Sequence, residues 1–170
     1  MAFSAFVSCS VHPDDQLIVS WFLDWLRAYN IEPHAVGLEP EVGLVKEQIR
    51  GRITGTDCTI TIMTRRDKIE GRDAWKAPDW VRDESVIANE LGKPIAIFVE
   101  DGVEVGGILS ENMYVKFNRQ SITQETIDKI NHYMWSLANK LREKENQKKL
   151  ALILIGGAVS LFLLWLASRR

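Results

Sequence analysis

The chain has 170 residues, of which 46% are hydrophobic and 26% are charged, and its formal net charge is -2 at pH 7. This length and composition suffice for one domain with a core of its own and a further short segment. Because no excess of Lys or Arg is spread along the chain, the composition argues against a nucleic-acid-binding protein.

Short apolar runs alternate along the chain with segments whose apolar residues recur every three or four positions. The runs predict strands and the periodic segments predict helices. Predicted strands lie at 5–10, 31–36, 57–63, 94–99 and 113–117, and predicted helices begin near Pro13, Val45, Ala77 and Thr123. Strand–helix alternation with short connections implies right-handed crossovers. We therefore predict an α/β, flavodoxin-like fold with a central parallel five-stranded sheet flanked by helices.

The segment APDWVRDESVIANELGKP at 77–94 places a carboxylate inside the apolar stripe of a predicted helix. The stripe consists of Trp80, Ile87, Ala88 and Leu91. Glu84 falls within it, whereas Arg82 and Ser85 belong to the opposite, polar face. Burying an ionised carboxylate is costly unless it has a partner or a task. The pattern alone leaves both open: Glu84 pairs with a basic residue such as Arg82, or it takes part in chemistry.

The ends of the strands indicate where a ligand would bind. Open parallel sheets bind ligands beyond the carboxyl ends of their strands, near the point where the strand order reverses. The first predicted strand ends at Ser8, Cys9 and Ser10. We therefore expect Glu84 at the mouth of a cleft on this side of the sheet.

The two cysteines, Cys9 and Cys58, each lie in a short apolar run. We expect both to be reduced, buried core residues, with a disulfide or a cysteine nucleophile as the less favoured alternatives. The three histidines show no metal-ligand spacing with these cysteines, so we predict no metal site.

The last predicted helix carries apolar residues three and four positions apart, the spacing of a coiled-coil seam. These residues are Ile127, Ile130, Met134, Leu137 and Leu141. We favour a closing helix packed on the sheet, and the alternative is a stalk that continues toward the C-terminus.

Residues 150–167 form an uncharged run, LALILIGGAVSLFLLWLA. At about 1.5 Å per residue, this run nearly crosses a hydrocarbon core of about 30 Å. We therefore predict one transmembrane helix at 150–168, with a short tail at 169–170 and a buried core helix as the alternative. The basic linker at 142–149 then predicts, by the positive-inside rule, a single-pass, tail-anchored protein in the bilayer, with its N-terminal domain in the cytoplasm.

Four motifs, in this order, resemble those of the Toll/interleukin-1 receptor (TIR) domain family. FVSCS at 6–10 resembles the first box, GLEPEVGLVKEQIRGRI at 37–53 the second box, and TDCTITIMT at 56–64 the third strand. Trp80 with Glu84 resembles the Trp-x-x-x-Glu motif of the following helix. The second box departs from the family pattern, because Glu41 and Val42 separate Pro40 from Gly43. The resemblance implies a TIR domain over residues 1–141.

The resemblance also implies an activity. Many prokaryotic TIR domains, and some eukaryotic ones, cleave the bond between nicotinamide and ribose in NAD⁺ with the glutamate that Glu84 matches. Because nicotinamide leaves as a neutral molecule, one carboxylate suffices to stabilise the developing oxocarbenium ion. NAD⁺ is then the substrate, and no cofactor is needed. Glu84 is the predicted catalytic residue, and the predicted substrate-binding residues are Phe6, Ser8, Ser10, Gly43 and Trp80.

The leading hypothesis is a membrane-anchored NAD⁺ glycohydrolase of bacterial anti-phage defence, active when its TIR domains self-associate. A close variant is a cyclase that makes a cyclic ADP-ribose-type signal. The alternatives from other classes are a non-catalytic interaction or nucleotide-sensing module, in which Glu84 is structural, and a protein whose assembled membrane spans breach the bilayer.

Overall fold

The computed structural model describes residues 2–35 and 46–167. The strands and helices follow one another in the order β1 (Phe3–Ser8), α1 (Gln16–Ala28), β2 (Ile31–Ala35), α2 (Lys46–Gly55), β3 (Cys58–Met63), β4 (Asp67–Lys68), β5 (Trp75–Lys76), α3 (Asp79–Glu90), β6 (Ile95–Glu100), β7 (Tyr114–Phe117) and α4 (Gln124–Ala167). Short 3-10 turns lie at Pro13–Asp15 and Gly107–Glu111. Gly43 and the rest of the second-box loop at 37–45 lie outside the described residues.

The central sheet has the strand order β2-β1-β3-β6-β7, and every neighbouring pair is parallel. The predicted parallel five-stranded sheet and flavodoxin-like α/β architecture are therefore confirmed. The order reverses between β1 and β3, because the chain passes from β1 outward to β2 and then crosses back to β3. Ligand-binding crevices of such sheets open at the carboxyl ends of the two strands beside this reversal.

Helices cover both faces of the sheet. On one face, α1 and α4 bury Phe22, Ile130 and Met134 against apolar side chains that include Ile60 and Phe98. On the other face, α2 and α3 bury Ile53, Ile87 and Ala88 against Phe6. All six residues of β3 are buried, because both of its faces are covered. The seam residues Ile130, Met134, Leu137 and Leu141 are buried in this core. The preferred interpretation of α4 as a closing helix packed on the sheet is confirmed for this part of the helix, which then continues toward the C-terminus as the alternative had it.

Helix α3 buries part of the predicted stripe, since Glu84, Ile87 and Ala88 are buried. Val81, Glu84, Ser85 and Ala88 are buried, whereas Trp80 is 44% exposed. The prediction that Ser85 lies on a solvent face was wrong, because its hydroxyl lies 2.7 Å from that of Thr61 and donates to the Val81 carbonyl. The short serine fits where α3 approaches β3, so the buried stripe includes Val81 and Ser85 and leaves out Trp80.

The polar segment between β3 and α3 contains a small antiparallel pair, β4 with β5. Its end is fixed to the rest of the domain, since the Trp75 amide donates to the Gly102 carbonyl at 2.8 Å. The backbone of Trp75 also bridges to Val103. This segment therefore borders the carboxyl edge of the main sheet.

The C-terminal part requires a correction. Within the part of the chain that the structure describes, no helix is long and apolar enough to cross a membrane. The predicted transmembrane helix at 150–168, and with it the predicted membrane location, was wrong. The apolar run does not form an element of its own: it continues α4, which begins at Gln124 and passes through the charged segment 142–149 without a break.

Candidate functional site

Glu84 lies on α3 and faces the carboxyl end of β1. Its side chain is buried, with the residue 6% exposed, and its Oε2 accepts a hydrogen bond of 2.5 Å from the Ser8 hydroxyl. The suggested partner Arg82 instead pairs with Asp79 at 3.5 Å. The buried carboxylate is thus held by a serine hydroxyl, which fixes its orientation without neutralising its charge.

Burial raises the pKa of the Glu84 carboxyl group, because removal from water disfavours the charged form. The hydrogen bond from Ser8 lowers this pKa in part, and the nearby charge of Asp83 raises it. An ionised Glu84 is therefore poorly solvated, so a positive charge that develops beside it is strongly stabilised. A buried carboxyl group with a raised pKa at a strand end is typical of functional sites.

Cys9 follows β1 directly and is buried. Burial, followed by the charges of Glu84 and Asp15, raises the pKa of its thiol to about 12. A thiol with this pKa is not a nucleophile at neutral pH. Cys9 and Cys58 are both free and buried, as predicted.

Of the other predicted site residues, Ser8, Ser10 and Trp80 lie along this edge. Ser8 contacts Glu84 directly, and Trp80, one turn before Glu84, donates from Nε1 to the Cys9 carbonyl at 3.5 Å. The Ser10 hydroxyl is buried and accepts from the His12 amide at 3.2 Å. Phe6 is buried in the core against α2 and α3. The predicted roles of these side chains in substrate binding stay predictions, as does that of Gly43.

A second group of charges, two buried carboxylates and a half-buried arginine, lies at the same edge of the sheet, and sequence analysis did not find it. The Arg119 guanidinium donates to both carboxylate oxygens of Glu100 at 2.5 Å and lies 2.8 Å from Asp15. The second oxygen of Asp15 accepts from the Thr64 hydroxyl at 2.9 Å. We call Asp15, Glu100 and Arg119 the Arg119 cluster. The sequence carries two weak signals of this group: Glu100 ends an apolar run, and Asp15 lies at the start of a predicted helix.

Beside the Arg119 cluster lies a cavity of about 510 Å³. Its walls include Arg65, Arg66 and Trp75. Glu84 does not line this cavity: it lies on the α3 side of the sheet, whereas the cavity opens next to the start of α1. The carboxyl edge thus carries two separate polar sites.

Comparison with known proteins shows a similarity of fold and no family. No protein-family model matches the chain, and no curated protein matches it significantly. Among solved structures, the CMP N-glycosidase BcmB from Clostridium botulinum is 13% identical, with a TM-score of 0.51 over 76% of this chain and 99% of the glycosidase. The flavoenzyme NAD(P)H:(acceptor) oxidoreductase FerB from Paracoccus denitrificans is 12% identical, with a TM-score of 0.48 over 82% of this chain and 96% of FerB.

The TIR domains of the activated Roq1 resistosome are 11% identical, with a TM-score of 0.41 over 83% of this chain and 84% of that chain. At such identities a likeness concerns the fold alone. The match to BcmB therefore shows a shared α/β fold, and the TIR family remains a suggestion that rests on the sequence motifs.

Proposed function

We propose that the chain cleaves the N-glycosidic bond of a nucleotide, with Glu84 as the carboxylate at the reaction centre and NAD⁺ as the preferred substrate. The observation that carries the proposal is the buried Glu84, oriented by Ser8 at the carboxyl end of β1. The fold shared with a CMP N-glycosidase supports the reaction class. The Trp80–Glu84 motif supports the choice of NAD⁺.

The chemistry places one main demand on the protein. When the bond between C1′ of the ribose and the pyridinium nitrogen breaks, its electron pair goes to nicotinamide, which leaves neutral, and a positive charge develops on the ribose. Glu84 stabilises this charge, because its poorly solvated carboxylate interacts with it more strongly than water does. Water then adds to C1′ and releases a proton, so that ADP-ribose, nicotinamide and H⁺ are the products.

NAD⁺ suits this site better than a neutral nucleotide. A leaving group such as cytosine must gain a proton as it departs, and this requires an acid in addition to the stabilising carboxylate. Two other buried carboxylates at this edge, Asp15 and Glu100, are engaged by Arg119. With these two acids engaged, Glu84 is left to stabilise the positive charge on the ribose, and this is the one contribution that cleavage of NAD⁺ requires.

The test is the release of nicotinamide from NAD⁺ by the purified full chain at high protein concentration, followed by chromatography. Glu84→Gln should fold normally and lower the rate at least about 100-fold, the loss expected when a main electrostatic contact is removed. Glu90→Gln is the matched control, because Glu90 lies on the same helix with its side chain 53% exposed. Equal rates for wild type and Glu84→Gln would overturn the proposal.

Further arms identify the substrate and the product. Ser8→Ala should move the acidic limb of the pH–rate profile to higher pH, because the hydrogen bond from Ser8 lowers the pKa of Glu84 and the variant lacks it. Cleavage of CMP but not of NAD⁺, again dependent on Glu84, would keep the reaction centre and replace the substrate. A cyclic product would identify the cyclase variant, and a rate per molecule that rises with protein concentration would support self-association. If the chain consumes neither NAD⁺ nor CMP, the non-catalytic interaction module becomes the favoured function.

A further inference from the structure

The cavity beside the Arg119 cluster is a second candidate binding site, and nothing in the proposed reaction uses it. Its volume of about 510 Å³ lies within the range of about 300–1,000 Å³ that small-molecule sites occupy. It opens at the carboxyl ends of β3, β6 and β7, where open parallel sheets bind ligands.

The negative charges around the cavity are paired or screened, whereas some of the positive charges are not. The buried carboxylates Asp15 and Glu100 are already engaged by Arg119. Asp14 has a side chain that is 82% exposed and lies 3.5 Å from His12, so water screens its charge. Nε of Arg65 also lies 3.8 Å from Glu100, so the charges in the cavity wall that remain available to a ligand are the Arg66 guanidinium and the terminal nitrogens of Arg65.

Arg65 is held in place for this role. Its amide donates to Glu100 at 2.8 Å and its Nε donates to the Asp101 carbonyl at 2.7 Å. Its two terminal nitrogens, like the whole guanidinium of Arg66, have no hydrogen-bond partner in the described part of the chain. Two neighbouring guanidinium groups with free donors match the oxygens of a phosphate group.

Trp75 supplies an aromatic wall beside these arginines. Gly102 lies beside both side chains: a Cβ there would be in van der Waals contact with Cδ1 of Trp75 at 3.4 Å and with Nε of Arg65 at 3.6 Å. Its φ of +82° also favours glycine. Nζ of Lys68 lies over this ring, 6.0 Å from its centroid, so the part of the ring that lines the cavity is what a nucleobase can stack on.

We infer that this cavity binds a nucleoside phosphate, with the phosphate group on Arg65 and Arg66 and the base against Trp75. This inference does not require Glu84 to be catalytic, because Glu84 lies outside the cavity. It gives the chain a second nucleotide site, separate from the proposed reaction centre.

Calorimetric titration of the full chain with AMP, ribose 5-phosphate and adenosine tests the inference. AMP should bind, ribose 5-phosphate should bind about tenfold more weakly because it lacks the base, and adenosine should not bind detectably. Arg66→Gln should weaken AMP binding at least about tenfold, the effect of losing a charge-assisted hydrogen bond. Arg72→Gln is the matched control, because Arg72 lies on the same segment with its side chain 67% exposed and does not line the cavity.

The outcomes separate this site from the proposed reaction centre. Glu84→Gln should bind AMP as wild type does, whether or not it has lost activity. Absence of AMP binding, or equal losses in Arg66→Gln and Arg72→Gln, would overturn the inference. Equal affinities for AMP and ribose 5-phosphate would overturn the assignment of the base to Trp75.

Discussion

Glu84 binds its proton more tightly in the folded chain than in the unfolded chain, because burial raises the pKa of its carboxyl group. Between the ordinary pKa of glutamate and the raised value, the folded state therefore holds more protons than the unfolded state. The free energy of unfolding falls as pH rises through this interval. Above it, the destabilisation is fully present, so at neutral pH the carboxylate lowers the stability of the chain.

Glu84→Gln should therefore raise the melting temperature at pH 7. We expect about 3 °C, the shift that about 1 kcal/mol produces in a domain of this size. Gln keeps the carbonyl oxygen that accepts from Ser8, so the gain comes from the lost charge. Circular-dichroism melts between pH 4 and pH 7 measure the effect, which should vanish at the acidic end. Glu90→Gln should show no such dependence, and a wild type more stable than Glu84→Gln at pH 7 would contradict the argument.

The sequence could predict that Glu84 is buried, but not what it contacts. Its place in an apolar stripe is a local property, because helical periodicity relates only residues within a few turns. Its partner Ser8 lies 76 positions away, and only the packing of α3 on β1 brings the two together. For the same reason Arg82, a local neighbour, was a reasonable but wrong partner.

Arg119 lies in the segment after β7 and connects it to two other elements. It contacts Asp15 at the start of α1 and Glu100 at the end of β6. Hydrogen bonds to Glu100 and Asp15 raise the pKa of its guanidinium. Removal of one partner from such a group leaves the opposite charges buried and unpaired, which is far costlier than the loss of an exposed pair.

Arg119→Met should therefore lower the free energy of unfolding by about 3 kcal/mol. Urea denaturation at pH 7 measures this loss. Arg27→Met is the control, because Arg27 pairs with Asp24 at 2.8 Å on an exposed helix surface, and it should have little effect. If Arg119→Met were no more destabilised than Arg27→Met, the Arg119 cluster would not be what holds these elements together.

The elements themselves were predictable to different degrees. Long periodic segments, such as α1 and the first part of α4, were found because their apolar faces pack on the sheet. The pair β4–β5 was missed, since strands of two residues carry no periodicity. The C-terminal run was misread because a hydropathy pattern reports composition, whereas the helix that contains it begins at Gln124.

For the whole molecule, strand–helix alternation and the handedness of crossovers were enough to predict the parallel sheet and the edge at which its sites lie. They could not predict the second site, because Arg65, Trp75 and Arg119 come from three separate segments. The identity of a substrate is a further step, since one fold supports many chemistries. The contacts of particular side chains, and not the architecture, must decide it.

The reactivities of Cys9 and Cys58 can show whether the domain unfolds as one unit or opens locally. Cys9 follows β1 at the carboxyl edge of the sheet, and Cys58 begins β3 at the opposite edge. Both are buried, and burial raises the pKa of each thiol to about 12. Neither thiol should therefore react with an alkylating reagent unless the surrounding structure opens.

If the Arg119 cluster holds the carboxyl edge closed, both thiols should react only through global unfolding. The two rates of alkylation by N-ethylmaleimide at pH 7, resolved by peptide mass spectrometry, are each divided by the rate in a fully denatured sample. Both ratios should then give one free energy of opening, equal to the free energy of unfolding from urea denaturation. A smaller free energy at Cys9 alone would mean that the edge carrying both proposed sites opens locally. In that case ligand binding at this edge would compete with local unfolding, and AMP should slow the labelling of Cys9 but not that of Cys58.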